Sequence, residues 1–191
     1  MKSIFLIFIS FFIAYWSFSQ QFNFPTGYKS YKDYDGKEVR IDKDFDNDGI
    51  TDLAILCKDK NESVIAVVYL TSNYVVKKTY YWFPWVGEMY MMEYKNNVLT
   101  IGSTSCAGRC YTNLLLKYYA NLKNMKLIGY ADGNLGNYQN DGAYDKNINL
   151  NTGEYEIGGV KRKVSIDQIT LSNIEKYFDY LSSVGSNYIG K

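Results

Sequence analysis

Turn residues punctuate this chain at short intervals, and that cadence limits the fold more than any other feature. Residues 53–57 (Leu-Ala-Ile-Leu-Cys) and 64–70 are unbroken apolar runs, as strands buried on both faces are. Ahead of them Val39 and Ile41 alternate with charged residues, and residues 74–83 alternate valine, lysine and aromatic side chains. Asn96-Asn97 separates residues 89–94 from 98–101, and asparagine tolerates the positive φ that a two-residue hairpin turn demands. Residues 121–124 separate 111–119 from 125–130 in the same manner. A third hairpin joins Ile148 and Leu150 through Asn151-Thr152-Gly153 to Tyr155 and Ile157, and residues 160–166 read as a further strand. Runs recurring roughly every eight to twelve residues predict antiparallel β structure, not βαβ units.

One helix is expected near the C-terminus. Ser172-Asn173 offers an N-cap, Glu175 stands three residues after Ser172 as in a capping box, and Ile174, Tyr177, Phe178 and Leu181 recur at helical spacing. Its apolar stripe is expected against the sheet. Residues 132–145 read as a long, solvated polar loop, with a second cation site built from Asp132, Asn134, Asp141 and Asp145 as the alternative. The expected architecture is mainly β: an antiparallel meander or sandwich-like sheet domain with one short C-terminal helix. A full β-propeller is excluded by size, because several four-stranded blades need a longer chain.

The N-terminus reads separately. Lys2 precedes an apolar stretch over residues 4–14, and residues 15–20 end in small polar side chains, the pattern of a cleavable Sec-type signal peptide. The apolar stretch is shorter than the roughly 20 residues a membrane span needs. The expected organisation is a signal peptide over 1–20 and a single β-rich domain over 21–191, secreted or periplasmic and free of the membrane after cleavage. An uncleaved anchor is the alternative.

Between two of the predicted strands lies Asp44-Phe45-Asp46-Asn47-Asp48-Gly49-Ile50-Thr51-Asp52, with carboxylates at loop positions 1, 3, 5 and 9 and glycine at 6. That spacing lets one short turn surround a hard cation with oxygen ligands. Asp42 adds a fifth acid and Lys43 one base, and like charges this close destabilise a compact turn unless a cation bridges them. Calcium fits best, because it accepts six to eight oxygens in flexible geometry and no nitrogen or sulfur ligand is at hand. The expected ligands of one Ca2+ ion are the side chains of Asp44, Asp46, Asp48 and Asp52 and the carbonyl of Ile50. A solvated acidic turn without metal is the alternative. An EF-hand is excluded: position 12 is Ile55, not an acid, and the flanks are strands.

An acidic loop of this spacing that runs into Asp-Leu-Ala-Ile-Leu resembles the FG-GAP and VCBS repeats, the calcium loops of integrin-α-type propeller blades. The likeness covers residues 41–56, with Asp46 standing where those repeats commonly have asparagine. More loosely, Pro25-Thr26-Gly27-Tyr28, Leu127-Ile128-Gly129-Tyr130 and Asn149-Leu150-Asn151-Thr152-Gly153 resemble, in that order, segments of small secreted bacterial proteins with one such loop. The resemblance implies a β fold and a calcium ion; it transfers no catalytic residue.

Composition narrows the function. The chain has no histidine, which removes the usual general base, the commonest zinc ligand and every Ser/His or Cys/His nucleophile pair. Lys and Arg number 21 against 20 Asp and Glu, so there is no electrostatic footprint for nucleic acid. Cys106 and Cys110 enclose three residues and fit a small disulfide ring, free thiols, a redox pair or a soft-metal site being the alternatives. Cys57, at the end of an apolar run, reads as a buried small hydrophobe. The leading expectation is a non-enzymatic, calcium-stabilised domain, an interaction or envelope module whose partner is a protein or glycan. The alternative is a carbohydrate-binding module using Tyr81, Trp82 and Trp85 as an aromatic platform; such alternating aromatics otherwise fill a core. A hydrolase using Glu88 and Glu93 stands third, since two acids five residues apart form no motif.

Overall fold

The computed structural model describes the backbone of residues 22–72, 75–82, 88–136, 142–163 and 169–185, and the side chains of all of these except 75 and 77–82. The proposed signal segment and Trp85 lie outside the described residues, as do the side chains of Tyr81 and Trp82.

The described chain is mainly β, in two antiparallel sheets with one short C-terminal helix, and neither sheet closes into a barrel or propeller. The first sheet holds β1 (Lys29–Ser30), β2 (Arg40–Lys43), β3 (Asp52–Lys58), β4 (Val64–Ser72) and β5 (Val75–Trp82). β1 and β2 share one edge of β3, and β4 and β5 follow on the other side. The second sheet is a seven-stranded meander of β6 (Met89–Lys95), β7 (Val98–Ser105), β8 (Cys110–Tyr119), β9 (Asn124–Asn134), β10 (Tyr144–Asn149), β11 (Glu154–Ile157) and β12 (Val160–Lys163).

Turn chemistry explains the meander. Asn96 and Asn97 take φ of 52° and 59°, the left-handed pair that a two-residue loop between β6 and β7 requires. Gly158 and Gly159 play the same part between β11 and β12, with φ of 55° and 79°.

The sheets pack face to face. Ala54, Leu56 and Val68 of the first and Ile101, Leu114 and Ile148 of the second belong to one buried cluster, which Leu171, Ile174 and Leu181 extend from the C-terminal segment. The other face of β3 and β4 is also buried, through Leu53, Ile55, Cys57, Ile65, Val67 and Tyr69. Phe22 of the N-terminal segment covers it, its ring 5.0 Å from that of Tyr69. Two buried faces are why residues 53–57 and 64–70 read as continuous apolar runs.

Two expectations change. Asp132 does not sit in a loop: β9 continues through Ala131, Asp132, Gly133 and Asn134, which pair with β8 on one side and β10 on the other. The charge of Asp132 is tolerated there because Lys146 pairs with it, and Gly133 leaves room for the Tyr111 ring, which would lie 2.5 Å from a Cβ. At the C-terminus, Ile174–Tyr177 form a 3₁₀ turn before the six-residue helix α1 (Phe178–Ser183), with no side-chain cap. The would-be capping groups are used elsewhere. Asn173 Oδ1 accepts the Thr170 N–H at 2.8 Å, and Ser172 Oγ accepts from Asn124 Nδ2 at 3.2 Å. They tie residues 169–171 to the start of β9, where Ile169 and Leu171 exchange backbone hydrogen bonds with Leu127 and Met125. Among the described residues no helix is long and apolar enough to cross a membrane.

Candidate metal centre

The acidic loop is the connection of a β2–β3 hairpin, closed where Lys43 pairs with Asp52. Just past the end of β2 the chain bends and Phe45 turns inward, 2% exposed and edge-on to the Tyr94 ring at 5.0 Å, with Asp44 and Asp46 half-buried on either side of it. The turn is then built from the carboxylates themselves. Asp44 accepts the N–H groups of Asp48 (3.1 Å) and Gly49 (2.8 Å), and Asp48 accepts that of Ile50 (2.9 Å). Asp46 Oδ1 shares the Asp48 N–H at 3.2 Å. Asn47 and Gly49 take the left-handed φ values of 59° and 85° that wind the loop around these oxygens.

One oxygen from each of Asp44, Asp46 and Asp48 lies within 4.8 Å of the others. Oxygens bound to a common calcium at about 2.3–2.6 Å are at most about 5 Å apart, so the triplet is compatible with a single ion of that size. Among the described residues this is the one such group of metal-ligating side chains.

Asp52 stands apart from the triplet. It is fully buried on β3, where Oδ2 accepts the Phe45 N–H at 2.8 Å and Oδ1 accepts the Thr71 N–H at 2.8 Å. Burial raises its pKa, the hydrogen bonds from Phe45 and Thr71 pull it back, and the nearby charge of Asp46 raises it again. Asp52 thus fixes the base of the loop to β4. Ile50 is half-buried and follows the triplet directly, its N–H held by Asp48.

The remaining sequence candidates are placed as follows. Cys106 and Cys110 form a disulfide with Cα atoms 5.3 Å apart, closing an exposed turn between β7 and β8. Arg109 in that turn reaches the Gly136 carbonyl at 3.4 Å, and its own carbonyl accepts the Leu135 N–H at 2.9 Å, so the turn is docked on the end of β9. Cys57 is a buried free thiol, its pKa pushed up to about 12 chiefly by burial. Glu88 accepts the Ala107 N–H at 3.2 Å, and Glu93 is an exposed residue of β6.

Sequence reasoning missed a second polar cluster. Lys146 is fully buried; its Nζ lies 2.9 Å from Asp132 Oδ2, 3.1 Å from the Leu181 carbonyl and 2.8 Å from that of Ser182. The lysine therefore closes the C-terminal end of α1, where carbonyls lack intrahelical donors. Tyr130 donates its hydroxyl to the same Asp132 Oδ2 at 2.8 Å, and burial with the Asp132 charge holds that phenol far above its usual range. The signal was period two: Tyr130 and Asp132 share a face, as do Ile148 and Lys146, and both apolar partners are core residues.

Comparisons with known protein families, with curated proteins and with solved structures found no match to this chain.

Proposed function

We infer that this chain is a non-enzymatic, calcium-stabilised β domain, secreted or periplasmic, which serves as an interaction or envelope module for a protein or glycan. The observation that carries the metal part is the convergence of Asp44, Asp46 and Asp48 to within 4.8 Å in a strand-loop-strand connection. The likeness of residues 41–56 to FG-GAP and VCBS calcium loops supports the same reading, and the N-terminal pattern and the absence of histidine support the location and the lack of an activity. In this reading the three aspartates supply carboxylate oxygens to one Ca2+ ion and the Ile50 carbonyl supplies another. Asp52 acts from behind, through its charge and the backbone it holds. The ion's role is to neutralise the triplet and hold the hairpin closed.

Calcium sites of extracellular modules bind at about 0.1 to 1 mM. At a tenfold excess over such a dissociation constant, mass action adds about 1.4 kcal/mol to folding, or roughly 3–6 °C in Tm for a chain of this size. The test is a thermal melt of the purified protein in calcium and in EDTA, for the native chain and for Asp48→Ala. A calcium-dependent rise that the variant loses is the expected result. A native chain indifferent to calcium would refute the metal.

A further inference from the structure

Along the inner face of the second sheet the residues opposite one another form rows. One row, Ile101, Leu114, Tyr130 and Ile148, belongs to the core. The next row outward, in the same four strands and on the same face, is Ser103, Thr112, Asp132 and Lys146. Four adjacent strands therefore change from apolar to polar at one level. No described residue of the five-stranded sheet lines the space beyond that level. A cavity of about 220 Å³ lies there, lined by Ser103, Thr112, Tyr130, Asp132 and Tyr144 from the sheet and by Ser182 from α1. A dry cavity of about 150 Å³ already accommodates benzene, so this one has room for a six-membered ring carrying substituents.

The charges restrict what enters. Lys146 directs its three donors at Asp132 Oδ2 and the carbonyls of Leu181 and Ser182, so none remains for an anion. Asp132 is neutralised by that lysine, so the cavity does not demand a cation. One acceptor is left over. Asp132 Oδ1 is buried and has no hydrogen-bond partner among the described residues. An unpaired buried acceptor is costly, so this oxygen favours a donor that the chain itself does not supply. The hydroxyls of Ser103, Thr112 and Tyr144 can each donate and accept, that of Ser182 donates to the Asp179 carbonyl at 3.0 Å and can only accept, and burial with the nearby Asp132 charge keeps the Tyr144 phenol protonated. The disulfide turn forms part of the rim through Cys110.

We propose that this cavity is a binding site for a neutral, hydroxyl-rich ring, a monosaccharide or the terminal sugar of a glycan, with a ligand hydroxyl donating to Asp132. The site is separate from the acidic loop and from the aromatic segment of β5, and does not depend on calcium.

Saturation-transfer difference NMR on the purified protein tests it, with D-glucose, D-galactose, N-acetylglucosamine and myo-inositol as probes and methylammonium as the cationic control. At least one of the four is expected to bind at roughly millimolar strength. Thr112→Val and Tyr144→Phe each delete one hydroxyl with little change of shape, and each is expected to weaken that binding about three- to tenfold. Two variants are used so that one that fails to fold does not decide the matter. Sugar binding at a temperature where the protein stays folded is expected to be the same in calcium and in EDTA, which separates this site from the acidic loop. No transfer from any of the four, transfer undiminished in both hydroxyl variants, or stronger binding of methylammonium than of every sugar would each overturn the proposal.

Discussion

At the β2–β3 hairpin three aspartates gather near the surface, held in place by the backbone N–H groups of their own loop. In the second sheet Asp132 is buried and held by a lysine from the next strand. Both clusters place carboxylates where the fold needs order, but they meet the cost of charge differently. The loop keeps its carboxylates partly in water and leaves their geometry open to an imported cation. The buried site carries its own counter-charge, which at the same time closes the end of α1. An exposed cluster can take its counter-charge from a solute; a buried one has to have its charge balanced when the chain folds.

The sharpest way to break this comparison is to remove the lysine. Lys146→Met keeps most of the side-chain volume but leaves the Asp132 carboxylate buried without its counter-charge, held only by the Tyr130 hydroxyl, and two helix carbonyls without that donor. The expected loss is about 3–5 kcal/mol, read from urea denaturation. Asp132→Asn added to Lys146→Met is expected to recover part of it. A loss below about 1 kcal/mol would mean that the pair is as dispensable as a surface ion pair.

How far these two sites could be read from the chain differs for a physical reason. The loop is local: its ligands, glycine and flanking strands all lie within residues 41–56, so spacing alone reveals the turn. The hairpin at Asn96-Asn97 is legible for the same reason, because the turn's φ requirement falls on the two residues themselves. Asp132 and Lys146 are 14 positions apart and meet only because β9 and β10 pair in one register. A polar stretch with three glycines between them reads as loop unless Lys146 is seen as the partner that lets β9 continue. The cap of the C-terminal helix fails similarly. Ser172 and Asn173 have the right spacing, but Asn124 at the start of β9 takes the Ser172 side chain and the backbone N–H of Thr170 takes that of Asn173.

Cys57 marks a third way of burying an ionisable group, which is to keep it neutral. Its thiol is fully buried and its pKa rises from 9.0 to about 12. The unfolded chain loses this proton first, so the contribution is intact below pH 9 and is lost as pH climbs from 9 towards 12. The loss is about 1.4 kcal/mol per pH unit in that window. Cys57→Ala is expected to flatten the alkaline limb of the stability curve, measured by urea midpoints across pH. In the folded native protein the thiol is expected to resist alkylation by iodoacetamide until denaturant is added. Rapid alkylation under native conditions would show that this face of β3 opens readily.

Independence of the two carboxylate sites gives the next test. If the acidic loop and the Asp132–Lys146 pair are separate, Lys146→Met should lower Tm in calcium and in EDTA by the same amount. The calcium increment of roughly 3–6 °C should therefore survive in the variant. An increment that vanishes with the lysine would mean that the hairpin and the second sheet are coupled, through the Phe45–Tyr94 contact for example.

The smallest expected effect separates the sites by screening. Salt shortens the Debye length from about 10 Å at 0.1 M to about 3 Å at 1 M, and it acts on charges in contact with water far more than on buried ones. Calcium binding by half-exposed aspartates is therefore expected to weaken about tenfold over that range. At unchanged calcium, a site that began at tenfold saturation would then contribute only about 0.4 kcal/mol, and the Tm increment would shrink to roughly 1–2 °C. The cost of Lys146→Met should stay the same within about 0.5 kcal/mol, because the Lys146 side chain is 1% exposed and that of Asp132 is 11% exposed. Parallel melts at both ionic strengths, with and without calcium, read both quantities in one set of samples. Should the lysine's contribution fall with salt as the calcium increment does, water reaches the pair, and the distinction between a conditional surface site and a charge-balanced buried one fails.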